Sequence, residues 1–179
     1  MPAESVYRYD VGPVLDLLRI PLDGGRYLHW LTVQDGQAGV VIVVTDGAAI
    51  VLQKQWRAAV DEFVWQFPRG FGEPVADGGV PDAVADAARE LREETGIDGA
   101  ALTELGRILP DPGILSAEVV VVEARVEAVD AAALRPEDPD EVIDEFALVP
   151  LAEVDGWIAD GRLVDGITLA ALQLWRAKR

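Results

Sequence analysis

The stretch Arg89-Glu90-Leu91-Arg92-Glu93-Glu94-Thr95-Gly96-Ile97 decides how this chain is read. Good helix formers run from Asp82 to Glu94, and Gly96 stands where a left-handed cap closes a helix. On a helix, Glu90, Glu93 and Glu94 fall at i, i+3 and i+4, so their carboxylates share one face with Cβ atoms about 5–6 Å apart. Like charges so placed repel one another. They also gather at the helix C-terminus, where the macrodipole disfavours negative charge by about 0.3–1 kcal/mol each. A divalent cation among them reverses both penalties. Hard oxygen ligands suit Mg²⁺ or Mn²⁺, which keep several waters and bind substrate phosphates directly. Arg89 can reach Glu93 one turn on and hold it in place. The charge run alone also leaves open an ordinary solvated acidic face.

The rest of the composition narrows the chemistry. A length of 179 residues is one domain of ordinary size, and half of them are hydrophobic, which argues against disorder. The formal charge of −17 with no basic stripe argues against a nucleic acid or an anionic membrane as partner. There are no cysteines and a single histidine, His29. Disulfides, thiolate nucleophiles, Ser-His pairs and His-rich metal sites are therefore unexpected. No apolar run reaches transmembrane length, and Met-Pro-Ala-Glu-Ser lacks the form of a signal peptide, so a cytoplasmic location is expected.

Outward from the helix, Val6 to Ile20 reads as irregular with at most a short strand, and Gly24-Gly25 as a turn. Tyr27–Val33 reads as a strand. Ala38–Thr45 and Ala48–Gln55 read as a hairpin through Asp46-Gly47. Trp65-Gln66-Phe67-Pro68 ends another strand, and Arg69 to Gly79 is a Gly-rich loop leading to Pro81 at the helix start. Leu102–Ile108 and the β-branched Glu118–Val126 are strands flanking the loop Pro110-Asp111-Pro112-Gly113. Ala131 to Asp140 reads as a flexible loop, Phe146–Val149 as a short strand, and Leu151–Ala159 and Gly166–Arg176 as two helices. Hairpins around one central helix predict an α+β fold with a mixed β-sheet.

The nine-residue stretch from Arg89 resembles the second half of the Nudix box, the metal-carrying helix of a large family of diphosphate hydrolases; every fixed position of that half is filled. The resemblance implies an α/β/α sandwich with a central catalytic helix and C-terminal helices. It implies that Glu90, Glu93 and Glu94 bind divalent cations and that Arg89 orients them. The front half of the box departs from the pattern. Counting back from Arg89 puts Pro81 at the family's Glu and Val75 at its Gly. Anchoring on Pro68-Arg69-Gly70-Phe71-Gly72-Glu73-Pro74 instead makes Gly70 the leading glycine, whose carbonyl often joins the metal site in the family. The loop is then longer than usual, and Asp77, Asp82 or Glu73 are the residues left to replace the missing Glu.

Further segments are similar to the ADP-ribose pyrophosphatase branch of that family. They are Gln55-Trp56-Arg57, whose arginine meets phosphate or ribose there, Pro110-Asp111-Pro112-Gly113-Ile114 followed by Glu118, and Asp165-Gly166-Ile167-Thr168-Leu169-Ala170-Ala171-Leu172. The substrate is therefore expected against Arg57, Arg69, Gln66, Pro112, Ile114 and Glu118, with Trp30, Trp56 or Trp65 available to stack a base. Gln66-Phe67-Pro68 stands where the branch has a Glu, and Trp65-Gln66-Phe67-Pro68 resembles dinucleoside polyphosphate and RNA-cap pyrophosphohydrolases. The general base by resemblance is Glu141, then Glu145, in an acidic loop before the last strand, with Glu93 the family's other choice. The resemblance also implies a homodimer in which residues 1–35 form N-terminal strands shared across the interface, beside a hydrolase domain at 36–179. The implied activity is Mg²⁺- or Mn²⁺-dependent cleavage of ADP-ribose, or a related nucleotide sugar, to AMP and ribose 5-phosphate. Dinucleoside polyphosphate or cap hydrolysis, and a non-catalytic nucleotide-sensing module, are the alternatives.

Overall fold

A computed structural model describes residues 3–10, 14–33, 37–72, 82–137 and 142–179. Its strands are β1 (Glu4–Tyr9), β2 (Leu15–Pro21), β3 (Tyr27–Val33), β4 (Gly39–Thr45), β5 (Ala49–Arg57), β6 (Glu62–Gln66), β7 (Arg69–Phe71), β8 (Ala101–Ile108), β9 (Leu115–Ser116), β10 (Val119–Arg125) and β11 (Ile143–Pro150). The helices are α1 (Ala83–Thr95), α2 (Val154–Ala159) and α3 (Gly166–Ala177).

The run Gly-Val-Val-Ile-Val-Val-Thr of β4 is buried at every position, as a central strand covered on both faces requires. Its side chains alternate between two cores. Val40, Ile42 and Val44 pack with Ala87 and Leu91 of α1. Val41 and Val43 pack with Leu172 and Trp175 of α3. The result is a helix–sheet–helix sandwich on the mixed order β11-β5-β4-β10-β8, in which only β10 and β4 are parallel. The Asp46-Gly47 hairpin forms as its sequence demands. Gly47 takes φ +95°, and Asp46 Oδ1 accepts from Ala48 N and Ala49 N at 2.8 Å each.

Two expectations are corrected. The segment from Val6 to Ile20 contains two full strands, β1 and β2, joined antiparallel. They are held by polar pairs, Ser5 Oγ to Asp16 at 2.6 Å and Arg19 to Glu4 at 3.0 Å, so no apolar alternation betrays them. With β3 and β9 they make a second sheet in the order β1-β2-β3-β9. The stretch expected as a flexible loop is held down over its described part. Residues 131–133 form a 3-10 turn capped by Asp130, and Leu134 is buried in the α1 core. Arg135 N donates to Thr95 O and Glu137 N to Glu93 O at 2.7 Å, which ties this segment to the end of α1.

Candidate active site

The hairpin strands β4 and β5 pair with each other only at Thr45↔Ile50. Farther from the turn they separate: β5 continues with β6 and β4 with β7, and Ile42 N donates to Pro68 O at 2.9 Å. Gln66 to Gly70 thus fills the split and runs beside α1. The helix is fixed at both ends. Asp82 accepts from Val84 N and Ala85 N at the start, and Gly96, at φ 74°, donates back to Arg92 O at the finish. Asp82, one of the residues left to replace the missing box Glu, is thus the N-cap of α1. Glu73 and Asp77, the other substitutes, lie outside the described residues, as does Glu141.

The carboxylates of α1 meet the loop closely. The Glu90 carboxylate occupies the space of a Cβ on Gly70, 2.0–2.2 Å from that position, and Asp86 Oδ2 lies 2.6 Å from where Gly72 would carry one. Glycine is what lets the backbone approach so near. Arg89 spans the cluster. Its Nη2 lies 2.8 Å from Glu90 Oε1 and donates to Phe71 O, and its Nη1 donates to Glu93 Oε2 at 2.8 Å. Burial by itself depresses the Arg89 pKa, but the charges and hydrogen bonds of Glu90 and Glu93 hold it above the ordinary arginine value. Glu94 is 2 % exposed, and its Oε2 accepts from Arg69 N at 2.8 Å and Gln53 Nε2 at 3.0 Å.

Among the described residues no three acidic or imidazole groups are already gathered as a coordination shell, since arginine guanidinium occupies the charge of Glu90 and Glu93. The donors nonetheless fit a hard divalent cation. They are carboxylate oxygens on one helix face, beside a glycine loop of close approach, with the Gln53 Oε1 oxygen buried and without a hydrogen-bond partner. Glu90, Glu93, Glu94 and the Gly70 backbone are the groups that could hold it. Such an ion supplies charge neutralisation at a phosphoryl group and a more acidic water.

Arg57 and Arg69 share a cavity of about 280 Å³ with Gly70, Phe71, Pro110 and Leu115. Arg57 Nε donates to Gln66 Oε1 at 2.8 Å, and the Arg69 guanidinium binds both oxygens of Asp165 at 3.1 and 3.2 Å. Asp165 also caps α3 through Thr168 N. Adjoining this space through Leu115 and Ala117 is a second cavity of about 430 Å³, where Trp30, Pro112 and Glu118 come together. Leu31 N donates to Ile114 O at 2.8 Å, which seats β9 and its loop against the strand carrying Trp30. Ile114 itself is largely exposed, and Glu118 is paired with Arg107. Glu145 is not brought to the cluster. It sits in β11 rather than in a loop and pairs with Lys54 at 3.8 Å, whose ammonium lies over Trp65 on the face away from α1. Asp144 pairs with Lys54 as well. A cavity of about 600 Å³ beyond the end of α1 includes none of the expected site residues.

The sequence reading missed Gln53, Asp86 and the clamp by Asp165. Asp86 stands one turn before Glu90 on the same helix stripe. Gln53 and Gln55 are two amides in an otherwise apolar strand core, both buried. Each was visible as a polar residue at an inward position.

A family model described as NUDIX domain matches residues 35–170. Among curated proteins, the chain is 34% identical over 87 residues to an ADP-sugar pyrophosphatase of Mus musculus, covering 49% of this chain and 38% of that protein. It is 31% identical over 119 residues to an uncharacterized Nudix hydrolase of Schizosaccharomyces pombe, covering 64% of this chain and 55% of the other. The chain thus spans about half the length of these two relatives or less. It is 28% identical over 169 residues to an ADP-ribose pyrophosphatase of Bacillus subtilis, covering 93% and 88% of the two chains. A crystal structure of an ADP compounds hydrolase superposes with a TM-score of 0.68 over 99% of this chain and 94% of the other, at 19% identity. That likeness is one of fold.

Proposed function

The chain belongs to the Nudix family, and from that premise we propose that it hydrolyses the diphosphate bond of a nucleoside diphosphate-linked substrate, ADP-ribose first among them. The products are AMP and ribose 5-phosphate. The observation that carries this reading is the stripe of Glu90, Glu93 and Glu94 set against Gly70, with Arg57 opening on the adjoining cavity. Glu90, Glu93, Glu94 and the Gly70 backbone would hold Mg²⁺ or Mn²⁺, which would supply charge neutralisation at the diphosphate. Arg57 meets a phosphate with its planar fork, and Trp30, Pro112 and Glu118 line the space for the remainder of the substrate. Arg69 holds its place through Asp165 and presents its backbone N–H to Glu94. Glu141 or Glu93 takes the proton of the attacking water, and Arg89 fixes Glu93 for either duty.

A homodimer goes with this reading. Val6, Tyr7, Tyr9 and Leu28 are exposed on the N-terminal sheet, within the residues 1–35 that precede the hydrolase domain. A charge of −17 opposes nucleic acid as partner, and no helix among the described residues is long and apolar enough to cross a membrane. We place the protein in the cytoplasm. Gln66 supports one second reading, hydrolysis of dinucleoside polyphosphates or caps, because a neutral amide rather than a carboxylate meets Arg57.

Chromatography of AMP released from ADP-ribose with Mg²⁺ and Mn²⁺ tests the assignment, with diadenosine polyphosphates as competitors. Glu93→Gln and Glu94→Gln are each expected to lower the rate at least about a hundredfold, the scale of losing one electrostatic group at a reacting centre. Preferred cleavage of the polyphosphate moves the second reading to the front. Nucleotide binding without turnover in any of them leaves a sensing module.

A further inference from the structure

Three buried amides lie between the two ends of the site. Arg57 Nε donates to Gln66 Oε1 at 2.8 Å, Gln66 Nε2 donates to Gln55 Oε1 at 2.7 Å, and Gln53 Nε2 reaches the same oxygen at 3.5 Å while donating to Glu94 Oε2 at 3.0 Å. Gln53 and Gln66 are fully buried. The string carries no charge of its own and runs from a guanidinium at one end to a carboxylate at the other. Val51, two residues earlier on β5, belongs to the apolar core beneath α1, so Gln53 brings an amide where that apolar run ends. Gln53 also keeps a buried carbonyl oxygen without a partner, an expensive feature for a residue whose only duty is to fill space.

We infer that Gln53 is a positioning residue for the cation site: its amide fixes Glu94, and through Gln55 and Gln66 it links that carboxylate to Arg57. The inference rests on the reading of Glu94 as a cation ligand. A carboxylate buried this deeply is aimed by the donors that hold it. Arg69 N is one, set by the backbone. Gln53 is another, and its amide lies on the hydrogen-bonded path to the phosphate-facing arginine. A phosphate on Arg57 draws on the guanidinium that also donates to Gln66. The shift passes along the amides to Glu94, so phosphate and cation bind with mutual advantage.

Titrating the full chain with Mn²⁺ and following free ion by electron paramagnetic resonance needs no turnover. Gln53→Met, similar in size and unable to donate, is expected to weaken Mn²⁺ binding about 10–100-fold, the usual cost of removing the partner of a ligating group. Circular dichroism should show an intact fold. AMP is expected to tighten Mn²⁺ binding to the wild type, and Gln66→Met to abolish that gain while leaving the affinity for Mn²⁺ alone near wild type. Wild-type affinity in Gln53→Met overturns the inference. If Gln53→Met fails to fold, Gln66→Met decides: an undiminished gain from AMP overturns the link. A wild type that binds no Mn²⁺ takes down the cation reading and this inference together, whereas hydrolysis that proceeds with Gln53→Met at full Mn²⁺ affinity sinks this inference alone.

Discussion

Gly70 shows how much one missing side chain can decide. A methyl group there would sit about 2 Å from the Glu90 carboxylate, far inside van der Waals contact, and the nearest atoms are the working end of that side chain. The glutamate would have to swing away or the loop would lift from α1. Gly70→Ala is therefore expected to cut Mn²⁺ affinity and rate together by about tenfold or more, in line with displacing a ligating group. The fold should survive with a loss of about 1–3 kcal/mol, the usual range for overpacking. Calorimetric titration beside thermal melting checks both numbers; unchanged metal binding would show that Glu90 has room to spare. The glycine was legible from its motif, but its reason was not. Only the facing of loop and helix shows that Glu90 is what it makes room for, and likewise Gly72 for Asp86.

At the scale of elements, the hairpin between β4 and β5 is a local device with a pH signature. Two backbone N–H groups, from Ala48 and Ala49, hold the Asp46 carboxyl below its usual range. Its contribution to stability is thus complete above its unfolded value of about 3.9 and is lost as pH falls through the lower folded value. Asp46→Ala is expected to destabilise by about 1 kcal/mol near neutrality, with the gap to wild type closing under acid. Urea melts at pH 7 and pH 3 test this, and a gap of equal size at both would remove the carboxylate from the account. This turn, the two C-terminal helices and α1 could be read in advance because their signals are local: Asp-Gly, a run of good helix formers, a C-terminal glycine. β1 and β2 could not. Their pairing is written in cross-strand polar contacts such as Ser5 with Asp16, which no window of neighbouring residues displays. Glu145 was misplaced for a related reason, since its strand register against Lys54 is set by β5 from the far side of the chain.

For the whole molecule, 32 acidic residues against 15 basic ones give a body that repels itself. Exposed charges interact over about 10 Å in 0.1 M salt and over less as salt is added. The thermal midpoint is expected to rise with potassium chloride, and the proposed homodimer through the N-terminal sheet to gain share with it. Sedimentation at several salt concentrations, read against a chain mass of 19.3 kDa, follows the second effect; a monomer throughout would detach residues 1–35 from any interface. How the parts are tied together also gives the molecule a timetable. Asp165 both starts α3 and grips Arg69, so the loop beside the acidic helix receives its last fastening from a segment the ribosome delivers long after that helix. A nascent chain carries every proposed ligand well before it can hold them in order. Activity, by this logic, switches on as a late event of synthesis, and a chain clipped before α3 keeps the residues of an enzyme without the means to use them.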